Sequence, residues 1–291
     1  MEKILKSSVP ILLLLSIFLI SFNTTEKQKK NDLQKMNLKG KVKKLTYTRY
    51  TISWKLGEET KRETDCSNVI FNKEGNKVEE NQYLVPDCKV LESKLEYKYN
   101  SDNDLIGEYS YDFKGNLTYL KTYKYDYMGN LEQEVNFNPK FVDHTVTYNY
   151  KSDENGNQVE WRGIGFFEPL TKMNYDSNNN MVYSLKYDRD MLMTESNEYT
   201  YDSNGNNIDH VHRMLQLKAW KKFSFKYDNL RNVIEITEYE NNSYDKISNI
   251  EKHKYKYDSK ENWIEEEVKY YYTERKFSFF YKRDIEYYSE L

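Results

Sequence analysis

The sequence lacks the common catalytic motifs and any excess of basic charge. It contains no Gly-x-Ser-x-Gly, no His-Glu-x-x-His, no phosphate-binding loop and no Cys–His catalytic signature. These patterns mark several classes of hydrolase, metalloprotease and nucleotide-binding enzyme, so their absence predicts a protein that is not an enzyme and needs no cofactor. The net charge is −3 with both signs interspersed, which leaves no electrostatic footprint for a nucleic acid.

Proline, alanine and cysteine are also scarce. The 291 residues include 4 prolines, 2 cysteines and one alanine, against 29 tyrosines. Tyrosine favours β-strands, and its apolar ring with a polar tip suits a sheet face that is only partly dry. Charged residues make up 31% of the chain, which would fit a disordered protein, but the aromatic content of 16% argues for a folded one. The composition therefore predicts a strand-rich protein.

Long apolar runs are absent except near the N-terminus. There Lys3 and Lys6 precede an apolar run at 9–22, which is short for a membrane span and typical of the core of a signal peptide. Residues 1–23 are therefore predicted to be a signal peptide, and an uncleaved membrane anchor is the alternative because the cleavage site lacks small residues. The polar residues 24–40 are interpreted as a tether. The predicted location is periplasmic, cell-surface or secreted, with membrane contact only through an uncleaved N-terminal segment.

The two cysteines fit an exported protein. Cys66 and Cys88 flank a hairpin whose turn is predicted at 72–76. Antiparallel pairing around this turn places Cys66 near Tyr83, and Cys88 follows a few residues later. In an oxidising compartment this arrangement predicts a Cys66–Cys88 disulfide, and two separate thiols are the alternative.

One motif, Tyr-Asp-x-x-Gly-Asn, recurs along the chain. The complete copies comprise Tyr111, Asp112, Gly115 and Asn116; Tyr125, Asp126, Gly129 and Asn130; and Tyr201, Asp202, Gly205 and Asn206. Incomplete copies begin at Phe71, Tyr99, Tyr175, Tyr227 and Tyr257. A repeat of this kind indicates a series of similar supersecondary units, each of which buries its apolar face only against its neighbours.

Each copy has the composition of a β-hairpin turn. An Asp at the first turn position and a Gly three residues later fit a type I turn closed by a left-handed residue. In one complete copy, Asp126 is placed to accept backbone hydrogen bonds, and Gly129 takes a positive φ without steric cost. Tyr125 then faces Leu131 on the paired strand. Asn179 replaces the glycine in an incomplete copy, and Asn also tolerates left-handed geometry.

The spacing of the copies predicts the topology. The opening aromatic residues recur every 25 to 30 residues, a period that holds two strands and two turns. The regular copies are therefore expected along one edge of a meandering sheet, and the copies at Tyr111 and Tyr187 along the other. Alternation such as Phe223, Phe225 and Tyr227 favours strands over helices. The prediction is an all-β, extended and curved antiparallel meander of about 17–18 strands, forming a single repeat domain at 41–291.

These turns, with their aromatic-x-aromatic lead-ins, resemble the YD repeats of the bacterial Rhs (rearrangement hotspot) family over about residues 69–264. Longer members of that family wind such hairpins into a hollow shell, some enclose a toxic C-terminal domain, and the repeats are often labelled carbohydrate-binding. The resemblance implies an open, curved hairpin sheet and a surface or secreted setting. The chain is too short for such a cage, and its strand-like pattern runs to Tyr287, leaving no toxin domain. The resemblance implies no activity.

Two patterns are similar to metal sites. Asp-x-Asn-x-Asn begins at Asp153, Asp176 and Asp202, as at the start of a calcium loop, but no acidic residue stands at the twelfth position that an EF-hand requires. His210 and His212 share one face of a predicted strand, but no third ligand accompanies them at motif spacing. The three Asp are therefore interpreted as turn residues and the two His as packing or surface residues, and no metal site is predicted.

Two non-catalytic functions fit these observations. The first is a binding or adhesive module that uses Tyr and the four tryptophans (Trp54, Trp161, Trp220 and Trp263) to stack on a glycan or pack on an envelope protein. The second is a structural envelope element without a ligand. An outer-membrane β-barrel is a less favoured alternative, because one predicted face is dense in Lys and Glu and charges interrupt the Tyr-rich face. An enzyme is also less favoured. The expected function is that of an exported, non-enzymatic binding module.

Overall fold

The computed structural model describes residues 30–55, 58–141, 145–164, 169–271 and 276–289. A short helix α1 (Asp32–Lys35) precedes 18 strands, and residues 31–291 form one compact unit. The strands are β1 (Val42–Lys55), β2 (Glu58–Phe71), β3 (Lys77–Leu84), β4 (Val90–Tyr99), β5 (Leu105–Asp112), β6 (Leu117–Tyr125), β7 (Leu131–Phe137), β8 (Val146–Ser152), β9 (Gln158–Ile164), β10 (Leu170–Tyr175), β11 (Met181–Tyr187), β12 (Met193–Tyr201), β13 (Asn207–Met214), β14 (Ala219–Tyr227), β15 (Val233–Tyr239), β16 (Ile247–Tyr257), β17 (Trp263–Tyr271) and β18 (Lys276–Tyr287). The predicted signal peptide lies outside the described residues.

The strands form an antiparallel meander that closes on itself. Each strand pairs with the next, and β1 pairs with both β2 and β18, with Leu45 opposite Ile285 and Arg49 opposite Tyr281. The prediction of an all-β meander is confirmed, but the prediction of an open, extended sheet is wrong: the sheet is a closed barrel. An open sheet would expose the backbone groups of two edge strands, and closure removes both edges.

Connections at the two ends of the barrel differ. The first rim consists of the short turns 72–76, 100–104, 126–130, 153–157, 176–180, 202–206, 228–232 and 258–262. The second rim consists, in its described part, of the connections 84–90, 112–116, 138–141, 188–192, 215–218 and 240–246. The regular repeat copies form the first rim, and the copies at Tyr111 and Tyr187 form turns of the second, as their spacing predicts.

The turn at 126–130 shows how the motif works. The Asp126 amide donates to the Asn130 carbonyl at 2.9 Å, and the Gly129 amide donates to the Asp126 carbonyl at 3.0 Å. The Asp126 carboxylate accepts from the Met128 and Asn130 amides, each at 2.9 Å. Gly129 has φ of 76°, and Tyr125 pairs with Leu131. Asp therefore satisfies turn donors that the two strands leave unpaired.

On most strands the Tyr-rich face of the sheet is the inner face of the barrel, whereas on β11 Tyr183, Leu185 and Tyr187 lie on the outer face. Tyr47 on β1 and Trp263 on β17 belong to strands separated by β18, yet their ring centroids are 6.4 Å apart. Side chains of second-neighbour strands converge on a concave face and diverge on a convex one. Burial also raises the pKa of Tyr47, Tyr97 and Tyr123 on this face.

The one sizeable apolar cluster among the described residues lies at the first rim. Leu33, Leu38, Val42, Leu45 and Phe71 pack together, against Met36, Val69, Ile285 and Tyr287. Residues 31–41, most of the segment interpreted as a tether, therefore lie against the rim. An Asn31–Gln34 capping box starts α1, a helix too short to give a periodic signal in the sequence. No described helix is long and apolar enough to span a membrane.

The middle of the barrel has no comparable dry core. The other fully buried apolar side chains in the described ranges are Cys66, Leu170 and Val268, and the inner-face aromatic rings are only half-buried. Eighteen strands at about 4.8 Å spacing, tilted by about 40°, give a perimeter of about 110 Å. A barrel of this strand number is wide enough for an aqueous lumen where loops or helices do not fill it, and the half-buried rings face this interior.

Candidate functional site in the barrel lumen

A cluster of aromatic and charged side chains covers the inner face of β16, β17, β18 and β1. The lumenal cluster consists of Tyr47, His253, Tyr255, Trp263, Glu266, Tyr281 and Arg283. Register brings these residues together, since Glu266 pairs with Tyr255 on one side and Tyr281 on the other, and Tyr47 pairs with Arg283. Alternation along each strand places most of them on one face, and a β-bulge opposite Lys256 and Tyr257 brings Trp263 to that face as well.

The rings of the lumenal cluster form a continuous aromatic surface. The Tyr47 and Tyr281 rings are stacked with centroids 5.6 Å apart, and the Tyr255 and Trp263 centroids are 5.9 Å apart. The guanidinium carbon of Arg283 lies 3.4 Å from the Trp263 ring centroid, a cation–π contact that holds the indole in place. These contacts fix a platform of rings with a charged edge.

Buried charge surrounds this platform. His253 Nδ1 lies 2.7 Å from Glu266 Oε1, and His253 Nε2 lies 3.0 Å from Glu251 Oε1. Burial disfavours the imidazolium, but the hydrogen bonds and attraction from Glu251 and Glu266 outweigh it and raise the pKa of His253 to about 9. Burial lowers the pKa of Arg283 to about 10, opposed by the Glu266 charge. At neutral pH both groups are cations, and they balance the two carboxylates.

The same combination of rings and carboxylates recurs on the opposite part of the wall. The Tyr123 hydroxyl donates to Glu108 at 2.6 Å, and the Tyr150 hydroxyl donates to Glu134 at 3.1 Å. The Tyr148 and Trp161 rings contact edge to face with centroids 5.5 Å apart. Aromatic faces and hydrogen-bonding groups therefore alternate around the lumen and are not confined to one pocket.

His210 and His212 also face the lumen, on β13. The His210 ring stacks on Tyr199 with centroids 4.7 Å apart, and its Nε2 lies 2.9 Å from Asn197 Oδ1. His212 Nε2 lies 3.5 Å from Glu195 Oε2. Burial and the neighbouring His212 lower the pKa of His210. The two imidazoles share a face, as their spacing predicts, but their contacts are those of stacked wall residues.

The predicted turn residues lie at the rims and not in the lumenal cluster. The carboxylates of Asp112, Asp126 and Asp202 each accept hydrogen bonds from their own turn. Asp153 and Asp176, which begin the patterns that are similar to calcium loops, do the same. Tyr125 and Tyr201 donate their hydroxyls to the Leu105 and Met181 carbonyls, each at 2.8 Å. These residues hold hairpins together and offer no free ligand set.

Cys66 and Cys88 are joined by a disulfide on the outer side of the wall near the second rim, with Cα atoms 5.7 Å apart. Cys66 is fully buried, and a Glu63 carboxylate oxygen lies 3.2 Å from the Cys88 sulfur. The bond ties the 84–90 connection to β2. Among the described residues, the one group of potential metal-ligating side chains close enough to share an ion is Glu63 with these two cysteines. Both sulfurs are used in the disulfide, so the group does not form a metal site.

Sequence patterns did not single out the lumenal cluster. His253, Glu266 and Arg283 belong to no motif, whereas Trp263 and the tyrosines are residue types that the sequence predicts for ligand stacking. The one sequence feature that points to this cluster is the set of charged residues that interrupts the Tyr-rich face of the predicted strands. On a lipid-facing or dry sheet face those charges would be destabilising, but in a wide lumen they serve as hydrogen-bonding groups beside the rings.

No protein-family model and no curated protein matches the chain. Distantly similar solved structures include a porin-like protein from Bacteroides uniformis (8% identity, 84% of this chain and 96% of that chain covered, TM-score 0.46) and one from Bacteroides vulgatus (14% identity, 86% and 99% covered, TM-score 0.38). A crystal structure of TcdB2-TccC3 matches at 11% identity with TM-score 0.34, over 74% of this chain and 14% of that chain. At these TM-scores only a distant likeness of repeat-like β folds is indicated, and no property of these proteins is transferred.

Proposed function

We propose that this barrel is an exported, water-exposed binding module that holds a glycan against its inner wall. The observation that carries the proposal is the lumenal cluster, in which aromatic faces lie beside carboxylate, imidazolium and guanidinium groups. A pyranose presents C–H groups on its face and hydroxyls at its edge, so a ring with flanking hydrogen-bonding groups matches both parts. Specific sites combine such apolar surface with a few placed polar groups.

The chemistry of the outer wall supports a water-exposed barrel. Lys124, Lys226 and Lys256 lie on the outer face with side chains 67%, 70% and 71% exposed. Each is paired with a Glu on the neighbouring strand at 2.6 to 2.8 Å. A lipid-facing lysine costs about 2–4 kcal/mol at the midplane of a bilayer and about 0–1 kcal/mol near its interfaces. These three lysines lie next to first-rim turns, so the wall charge that weighs most against a membrane span is at mid-height, where Lys254 pairs with Glu267. In water, exposed Lys–Glu pairs carry no such transfer cost.

The outer-membrane alternative shares the closed barrel but not the wall chemistry. A spanning barrel needs an apolar outer band about 25 Å tall. Here the outer face of β16 alone presents Lys252, Lys254 and Lys256. The charged inner face does not separate the two alternatives, because the interior of a membrane-spanning barrel is also polar. The charged outer wall is therefore the observation that favours a water-exposed barrel over a pore through a membrane.

A glycan array followed by calorimetry on the purified protein tests the proposal. Trp263→Leu should weaken binding of any glycan found on the array by about five- to thirtyfold, because one stacked ring contributes about 1–2 kcal/mol. Trp220→Leu is the matched control, since Trp220 lies on the outer face at the second rim, and it should bind as the wild type does. Absence of glycan binding, or equal loss in both variants, would show that the lumen is not a glycan site.

A further inference from the structure

Exposed apolar side chains are concentrated at one end of the barrel. Seventeen large hydrophobic residues are exposed among the described residues, and thirteen of them lie on the second rim or on the strand residue next to it. The most exposed of these thirteen are Leu217 (71%), Phe113 (65%), Leu192 (63%), Val90 (59%) and Phe141 (57%). Most first-rim turns instead carry Ser, Asn, Asp or Lys at their centres. Exposed apolar groups concentrated on one surface indicate a site of interaction.

Tyrosines form a girdle behind these tips, on the outer face. The girdle consists of Tyr111, Tyr187, Tyr239 and Tyr271, each at or next to the end of a strand at the second rim. A lysine ammonium lies 5.2 to 6.0 Å from each ring centroid, and these lysines are Lys94, Lys172, Lys222 and Lys252. The same Lys–Tyr pair thus recurs around the barrel at one height.

The order of side chains along the barrel axis matches the order of layers in a bilayer surface. Apolar tips come first, then the Tyr girdle, then the paired charges of the wall. Hydrocarbon, the headgroup interface and water follow in the same order, and Tyr with a snorkelling Lys is typical of the interface. We propose that the second rim docks on the surface of a phospholipid bilayer, with its apolar tips among the headgroups and upper acyl chains.

The charge balance of the second rim and the spacing of its apolar tips favour a bilayer over an anionic polymer or a second protein copy. The described second-rim connections contain six acidic and six basic residues, so the rim is complementary to a zwitterionic surface and not to an anionic polymer. The apolar tips are distributed one or a few per connection around a perimeter of about 110 Å. A second protein copy would need a contiguous packed interface core, whereas a fluid bilayer accepts separate tips.

Flotation of the full-length protein with zwitterionic phosphatidylcholine vesicles tests the docking. Phe113→Ser, Leu192→Ser and Leu217→Ser combined should reduce the vesicle-bound fraction at least about fivefold. The control is Tyr127→Ser with Met128→Ser, two exposed residues of the first rim (97% and 63%), which should bind as the wild type does. Because the N-terminal apolar run is present in all three proteins, a difference between them reports the rim alone.

Brominated lipids give a second measurement at the same site. Trp220 lies at the second rim, with its ring centroid 4.1 Å from that of Tyr244, so bromine near the headgroups should quench its fluorescence in the wild type and much less in the triple variant. Equal binding by all three proteins would overturn the proposal, as would no binding. Concentration-dependent dimers that only the triple variant loses, without vesicle binding by the wild type, would assign the rim to a second copy.

Discussion

At the scale of single residues, the repeat works because each turn position has a defined backbone role. Gly115, Gly129 and Gly205 have φ of 81°, 76° and 78°, and Asn179 has 62° at the corresponding position. Left-handed geometry is nearly free for Gly and tolerable for Asn, but it is costly for a β-branched residue. The sequence motif thus encodes conformation and not chemistry.

Gly115→Val should therefore lower the free energy of unfolding by at least about 1 kcal/mol. A Cβ at Gly115 would meet nothing within 4 Å, so the loss would come from positive φ alone. Gly115→Asn is the control and should lose much less. Urea melts of the three proteins measure the difference, and superimposed Val and wild-type curves would contradict the turn assignment.

The raised pKa of His253 predicts that the free energy of unfolding depends on pH. Its pKa is raised to about 9 from an ordinary value of 6.5. A raised pKa means that the folded state favours the charged form, so this stabilisation is complete below pH 6.5 and is lost as the pH rises through 9. The wild type should lose up to about 3 kcal/mol of unfolding free energy over this range.

His253→Gln should flatten that dependence between pH 6.5 and 9, and Glu266→Gln should weaken it because one of the two carboxylates is removed. Chemical denaturation at several pH values gives the profile. If the wild-type and His253→Gln profiles had the same slope, the His253–Glu266 pair would not be coupled to folding.

At the scale of elements, each hairpin pairs two strands that are consecutive in the sequence, whereas closure of the barrel pairs strands from opposite ends of the chain. Each described first-rim turn and its two strands lie within a span of 27 residues or fewer, so turn chemistry predicts them from the sequence. The pairing of β1 with β18 joins residues more than 220 positions apart, as in Tyr47 opposite Arg283. No local motif marks this pairing, because every strand of the meander has the same alternation.

Hydrogen exchange tests the closure. Amides of β1 and β18 should be protected to the same degree as those of β6, which lies between two neighbours in the meander. In an open sheet about half of the amides of each edge strand would point to solvent and exchange rapidly. Rapid exchange of half of the amides in both 42–55 and 276–287 would favour the open meander.

At the scale of the whole molecule, the two ends of the barrel differ in charge and polarity. The eight first-rim turns contain 11 acidic and 3 basic residues, while the described second-rim connections are balanced and bear the apolar tips. Residues 31–41 also bind the first rim: the Leu33 amide donates to the Gly75 carbonyl at 3.0 Å, and the Asn37 side chain donates to the Leu230 carbonyl at 3.0 Å. The second rim is left as the apolar end.

Export remains a prediction at this scale. The protein should be found outside the cytoplasm with Cys66 and Cys88 bonded, which non-reducing mass spectrometry of envelope and culture fractions would detect. The bond closes a loop of about 23 residues, so reduction should cost roughly 3 kcal/mol on the chain-entropy model, and Cys88→Ser should be insensitive to reductant. Two free thiols in the exported protein would contradict the predicted disulfide. Detection of the protein only in the cytoplasm would contradict the predicted export.

The sequence alone determined the hairpins, their two edges and the all-β class, because turn residues such as Asp126 and Gly129 act over five positions. It also identified Cys66 and Cys88 as a candidate pair, since one hairpin brings them close. Tertiary structure decided the closed barrel, the inward face and the meeting of His253, Glu266 and Arg283. These features depend on long-range register and curvature, and a repeating alternation leaves both open. A short apolar–polar pattern specifies which residues share a face, but only closure decides which face encloses the lumen.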